Sequence, residues 1–181
     1  MKGIIFTGFL EMIEQKFGYE LVDEMLTEND LESKGVYTSI GTYNYSEMVQ
    51  LIVDLSARKE IAIPILLKEY GKYFFDVLYN TYPHFFKTAP SAFVFLESIS
   101  NHIHIEIKKI YPKGEFPVFE TKMIGQDTLE MIYYSERKMA DFAEGLIIRT
   151  LNYFQEPCSI NRENIKEDGS IVKFLLVKNK K

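Results

Sequence analysis

Cysteine is almost missing from this chain. Of 181 residues only Cys158 is a cysteine, which excludes an internal disulfide framework and every CxxC motif for metal or haem attachment, and fits a reducing compartment. Basic residues are also in the minority: 21 Lys and Arg against 26 Asp and Glu, a formal net charge of −5. No basic field exists to gather phosphates, so nucleic acid is not an expected partner. No apolar run approaches the roughly 18 residues that cross a bilayer. The opening "MKGIIFTGFLEMIEQKF" meets Glu11 and Glu14 too early for a signal peptide and has no small-residue cleavage site. The reading is a soluble cytoplasmic protein that makes no membrane contact through this segment. GxGxxG, Walker and kinase motifs are absent, as is any defensible Ser/His/Asp or Cys/His arrangement, and the chain is not read as an enzyme.

Hydrophobic residues make up 46% of the chain and aromatics 14%, enough to bury a real core in one domain. Helical spacing comes first along the chain. Ile4, Ile5, Leu10, Ile13 and Phe17 predict a helix ending near Gly18, and "YELVDEML" a second. Asn44 and Glu47 look like a capping box for "YSEMVQLIVDLSARK". Pro64 suits the first turn of a helix through "ILLKEYGKYFFDVLYNTY". Pro83 and Pro90 flank a short helical turn, and Ser91 to Tyr111 predicts one long helix closed by Pro112. The period then changes. "FPVFETKMI" and "TLEMIYYSE" form a hairpin, "KMADFAEGLIIRTLNYF" a helix, and "CSINRENI" with "SIVKFLLVK" a second hairpin. Only the "KNKK" end looks disordered. The fold class is α+β, mainly helical at first, with a small antiparallel sheet at the end.

Two of the three histidines, His102 and His104, sit in the apolar stretch "SISNHIHIEIKKIYP". On a regular helix centred on Ile103 they lie about 100° to either side of the apolar stripe. Periodicity does not choose between them, and each is equally placed to reach a cofactor or to be a solvated flank. Joint chelation by the pair is disfavoured, because residues i and i+2 point apart. Further on, "YYSER" places Tyr133, Ser135 and Arg137 at i, i+2 and i+4. On an extended strand they would share one face, as a polar outer surface or as a donor array for carboxylates with Arg as a two-pronged fork.

Taken in order, "MKGIIF", "FGYELVDE", "YPHFF", a histidine on the long helix and Y-x-S-x-R before a helix resemble the H-NOX family, the haem-nitric oxide/oxygen binding domains related to the haem domain of soluble guanylate cyclase. The resemblance covers essentially the whole chain. It implies a single domain over 1–181, with a distal helical part over 1–62 and a proximal part with the sheet over 63–181, and haem b with Fe(II) between them. It further implies that Tyr133, Ser135 and Arg137 hold the haem propionates. The family's axial histidine precedes the first motif tyrosine by 29 residues, which points to His104 and leaves His102 without an inherited role. Pro117 matches the proline that presses on and distorts the macrocycle, although a proline entering a strand explains its presence equally well.

The resemblance also bears on the gas. In O₂-binding members a tyrosine nine residues beyond the first motif tyrosine donates a hydrogen bond to the ligand; here that position is Phe142. The positions of its supporting Trp and Asn read Phe9 and Phe74, and with Ile5 and Leu146 the distal pocket is expected to be apolar. A tyrosine from elsewhere, such as Tyr73, would upset this by turning inward. The implied ligands are NO and CO without O₂, and the implied signal is release of His104 with its helix. The receiver would be a histidine kinase, a cyclic-dinucleotide enzyme or a fused chemotaxis receptor of which the chain is the front part. An O₂ or redox sensor, a peroxidase-like haem enzyme and a haem-free interaction or lipid-binding module are the rival readings.

Overall fold

The computed structural model describes residues 1–112 and 114–179. Helix α1 (Gly3–Phe17) stops at Gly18, whose φ of 93° disfavours a side chain, and α2 (Tyr19–Glu28) folds back on it. Helix α3 (Tyr45–Lys59) is capped by the Asn44 side chain, which accepts from the Ser46 amide at 3.1 Å. The reciprocal half of the predicted capping box is not made. Glu47 is buried and its carboxylate accepts instead from the Ser33 amide and hydroxyl and from the Tyr37 hydroxyl. Three donors satisfy a desolvated carboxylate better than one cap amide, and they tie down the loop between α2 and α3.

Helix α4 (Ile63–Thr81) begins with Pro64 as predicted, and α5 (Pro83–Thr88) is one short turn further on. The unbroken helix expected over 91–111 is instead α6 (Ala92–Ser98), a π turn (Ile99–Ile103) and α7 (His104–Ile110). The His104 amide donates to the Ile99 carbonyl, one residue further back than in an α-helix. Such a turn holds an extra residue that a 3.6-residue spacing does not reveal.

Both hairpins form, β1 (Val118–Met123) with β2 (Thr128–Tyr134) and β3 (Cys158–Asn164) with β4 (Ile171–Lys178). They merge through a β2–β4 ladder into one antiparallel sheet of order β1-β2-β4-β3, in which Tyr133 stands opposite Phe119 and Val172. Alternate residues Leu129, Met131 and Tyr133 of β2, and Val172, Phe174 and Leu176 of β4, face the core. Helix α8 (Ala140–Tyr153) connects the hairpins. Lys178, expected in a disordered tail, closes β4, and the Asn179 amide donates to the Pro157 carbonyl; Lys180 and Lys181 lie outside the described residues. Among the described residues no helix is long and apolar enough to cross a membrane.

Buried apolar residues form two clusters. One gathers α1, α2 and α3 around Phe6, Met12, Leu51 and Leu55; the other gathers the sheet, α6 and α8. Helix α4 serves both, giving Leu66, Tyr70 and Phe74 to the first and Phe75 to the second. It crosses α8 backbone to backbone. A Cβ on Gly71 would stand 2.1 Å from the Phe142 carbonyl oxygen, and one on Gly145 2.1 Å from that of Lys68, so glycine alone allows this approach. Between the clusters lies a cavity.

Candidate functional site

The cavity is walled by Ile5 of α1, Phe74 and Leu78 of α4, Phe142 and Leu146 of α8, and, across from them, Leu96, Ile99, Ile103 and His104. Its mouth carries Tyr133, Ser135 and Arg137, with Pro117 and Phe116 from the segment before β1. Nine of the ten residues singled out in the sequence therefore line one cavity. Phe9 does not reach it: fully buried in the first cluster, its ring packs edge-on against Tyr70 with centroids 5.1 Å apart.

The π turn distinguishes the two histidines. His102 is exposed and meets the edge of Phe85, whereas His104 turns inward and stacks on Phe116 with centroids 5.0 Å apart and planes 29° from parallel. Desolvation, reinforced by the nearby Lys108 charge, pushes the His104 pKa down to about 4; the Pro117 carbonyl, close enough to accept from the ring, opposes this only in part. The imidazole is thus neutral at pH 7 and able to offer a lone pair.

This depressed pKa makes stability depend on pH. His104 binds a proton more weakly folded than unfolded, so its contribution is full above the ordinary value of 6.5 and disappears as pH falls towards 4. The shift corresponds to about 3 kcal/mol. Urea unfolding of the haem-free protein between pH 7 and 4 is expected to show a steeper loss of stability for the wild type than for His104→Leu. Parallel curves would mean that the ring is not desolvated.

Tyr133, Ser135 and Arg137 converge differently from the predicted strand face. Strand β2 ends at Tyr134, and Ser135 starts a turn in which its hydroxyl accepts from the Arg137 amide at 3.2 Å and its carbonyl accepts from Lys138. Further bonds fix the turn. The Ser135 amide donates to the Ser170 carbonyl, Lys138 pairs with Asp168, the Met139 amide donates to the buried Tyr133 hydroxyl at 3.0 Å, and Tyr45 of α3 donates to the Arg137 carbonyl. The Arg137 guanidinium reaches the Glu115 carbonyl at 2.9 Å and its carboxylate at 2.8 Å. Arg137 is largely covered while Glu115 is 84% exposed. A covered cation whose present partner is a solvated carboxylate is suited to other carboxylates at the same edge.

Two findings amend the expected apolar pocket. Tyr82 and Tyr111 also line the cavity, their hydroxyls within 3.5 Å of each other. Tyr70, which sequence reasoning missed, stands fully buried behind the distal wall, 4.9 Å from the Phe142 ring, and donates its hydroxyl to the Ile5 carbonyl. A tyrosine facing a helix carbonyl across two elements leaves no periodic trace in a sequence. Tyr73 is not among the lining residues and interacts with Glu11 and Gln15 on α1.

A desolvated, neutral imidazole on one wall, aliphatic and aromatic side chains on the other, and a guanidinium with hydroxyls at the rim fit what haem requires of a site. The Haem-NO-binding family model matches residues 2–162. The chain therefore belongs to that family, the H-NOX domains. Its structure superposes on the Fe(II) unliganded H-NOX protein from K. algicida with a TM-score of 0.95 and 48% identity, over 100% of this chain and 98% of that one. The H-NOX from Shewanella woodyi, solved in the Fe(II)CO state with IWP-051 bound, gives 0.85 and 35% over 99% and 95%. An H-NOX protein from S. oneidensis in the Fe(II)NO state gives 0.92 at 23% identity, a likeness of fold. No curated protein sequence matches the chain.

Proposed function

We propose that this chain is a single haem-based sensor domain for nitric oxide, also able to bind CO, that excludes O₂ and does no catalysis. The observation that carries this reading is His104: a desolvated, neutral imidazole directed into an apolar cavity whose rim presents Arg137. His104 would hold the iron of protohaem IX, Tyr133, Ser135 and Arg137 the propionates, and Pro117 would press on the macrocycle. When bound, the haem would supply a ferrous iron that takes a diatomic ligand.

The rest follows from the chain's own residues. Ile5, Phe74, Phe142 and Leu146 exclude water from the wall across from His104 and would offer no hydrogen to a polarised O₂, while the nearby Tyr70 hydroxyl is committed to Ile5. NO and CO need no such donor. Without a bond from His104 to the haem, α7 would no longer be held to the cavity wall and would withdraw from it. That displacement is the signal. Moving an equilibrium from 1:99 to 99:1 needs roughly 5.5 kcal/mol of differential binding. The receiver is a histidine kinase, a cyclic-dinucleotide enzyme or a fused chemotaxis receptor, and the domain works in the cytoplasm. Absorption spectra of the reduced protein are expected to change on adding CO or NO and to remain those of the unliganded form in air. A stable complex in air would replace the NO reading with an O₂ sensor, and a colourless protein that takes up no haem would end both.

A further inference from the structure

The π turn is a rare interruption of an α-helix, and something must hold it. Its second residue, Ser100, does so across the chain: the Ser100 hydroxyl accepts from the Phe119 amide at 2.7 Å. Strand β1 lies at the edge of the sheet, and this bond uses an amide on the side that no strand covers. Ser100 and His104 line one solvent-facing groove together with Phe116, Pro117 and Phe119. Four residues apart, they therefore meet the same short segment at two points, the hydroxyl on the Phe119 amide and the imidazole against Phe116 and the Pro117 carbonyl.

We propose that Ser100 is a positioning residue for the axial ligand, a strut between the π turn and the head of β1 that sets how readily His104 and its helix withdraw from the cavity. This rests on His104 being the iron ligand. The strut joins the segment that carries His104 to the edge strand of the sheet. Withdrawal of the helix has to break it, so its loss favours the withdrawn arrangement.

Ser100→Ala removes the acceptor and Ser100→Thr keeps one, and two measurements separate the roles. In haem-free protein, hydrogen exchange at the Phe119 amide is expected to quicken about fivefold in Ser100→Ala, the effect of one net hydrogen bond, and to stay near wild type in Ser100→Thr. In haem-loaded ferrous protein mixed with NO, the rate at which His104 coordination is lost, followed in the Soret band, is expected to rise by about the same factor in Ser100→Ala only. Unchanged exchange would show that the strut does not exist. Faster exchange with an unchanged rate would reduce Ser100 to a support of the fold. Failure of the underlying ligand assignment looks different: the ferrous spectrum of His104→Gly would match wild type, and added imidazole would do nothing.

Discussion

His104→Gly is expected to leave the purified protein with little or no haem, and free imidazole supplied during expression is expected to restore it. The substitution removes the one imidazole that lines the cavity and opens a space of the same shape for an external one. His102→Ala, two residues away, should keep its haem, because His102 lies on the exposed side against Phe85. Haem content per chain and the ferrous Soret band measure both. Haem loss in His102→Ala with retention in His104→Gly would reverse the assignment, and retention in both would move the ligand elsewhere.

Phe142→Tyr is expected to strengthen O₂ binding by roughly ten- to a hundredfold, the equivalent of one hydrogen bond to a charged acceptor at about 1.5 to 3 kcal/mol. Its setting limits the gain. Tyr70 already uses the nearby Ile5 carbonyl, and Phe74, 5.6 Å from the Phe142 ring, has no polar group to orient a new hydroxyl. The introduced phenol therefore either donates to the gas or stays unpaired, and an unpaired buried hydroxyl costs about 1 to 3 kcal/mol. Stopped-flow mixing with O₂ distinguishes the two. No change in O₂ affinity would show that a hydroxyl at position 142 does not reach the ligand.

Much of this was legible in the sequence, for local reasons. Gly18, Pro64 and Pro112 punctuate helices by backbone chemistry, and alternating residues such as Leu129, Met131 and Tyr133 mark a strand with one buried face. What was not legible is what depends on distant partners or on an extra residue in a turn. Glu47 carries the signature of a helix cap and is taken by Ser33 and Tyr37. The Y-x-S-x-R residues read as one strand face, yet Ser135 folds them into a turn because its hydroxyl competes for the Arg137 amide. The choice between His102 and His104 depends on the π turn, and spacing by itself leaves it open. Family resemblance named His104, and the fold supplies the reason.

The meeting of Gly71 and Gly145 determines how the chamber can be resized. Side chains yield by changing rotamer, but a contact between main chains has no rotamers to change. Helices α4 and α8 therefore cannot close further on each other, and the room opposite the histidine is left to the bulk of Phe74, Phe142 and Leu146. Mutational drift at those three positions would alter which guests fit, one side-chain volume at a time, while the frame that carries them keeps its dimensions.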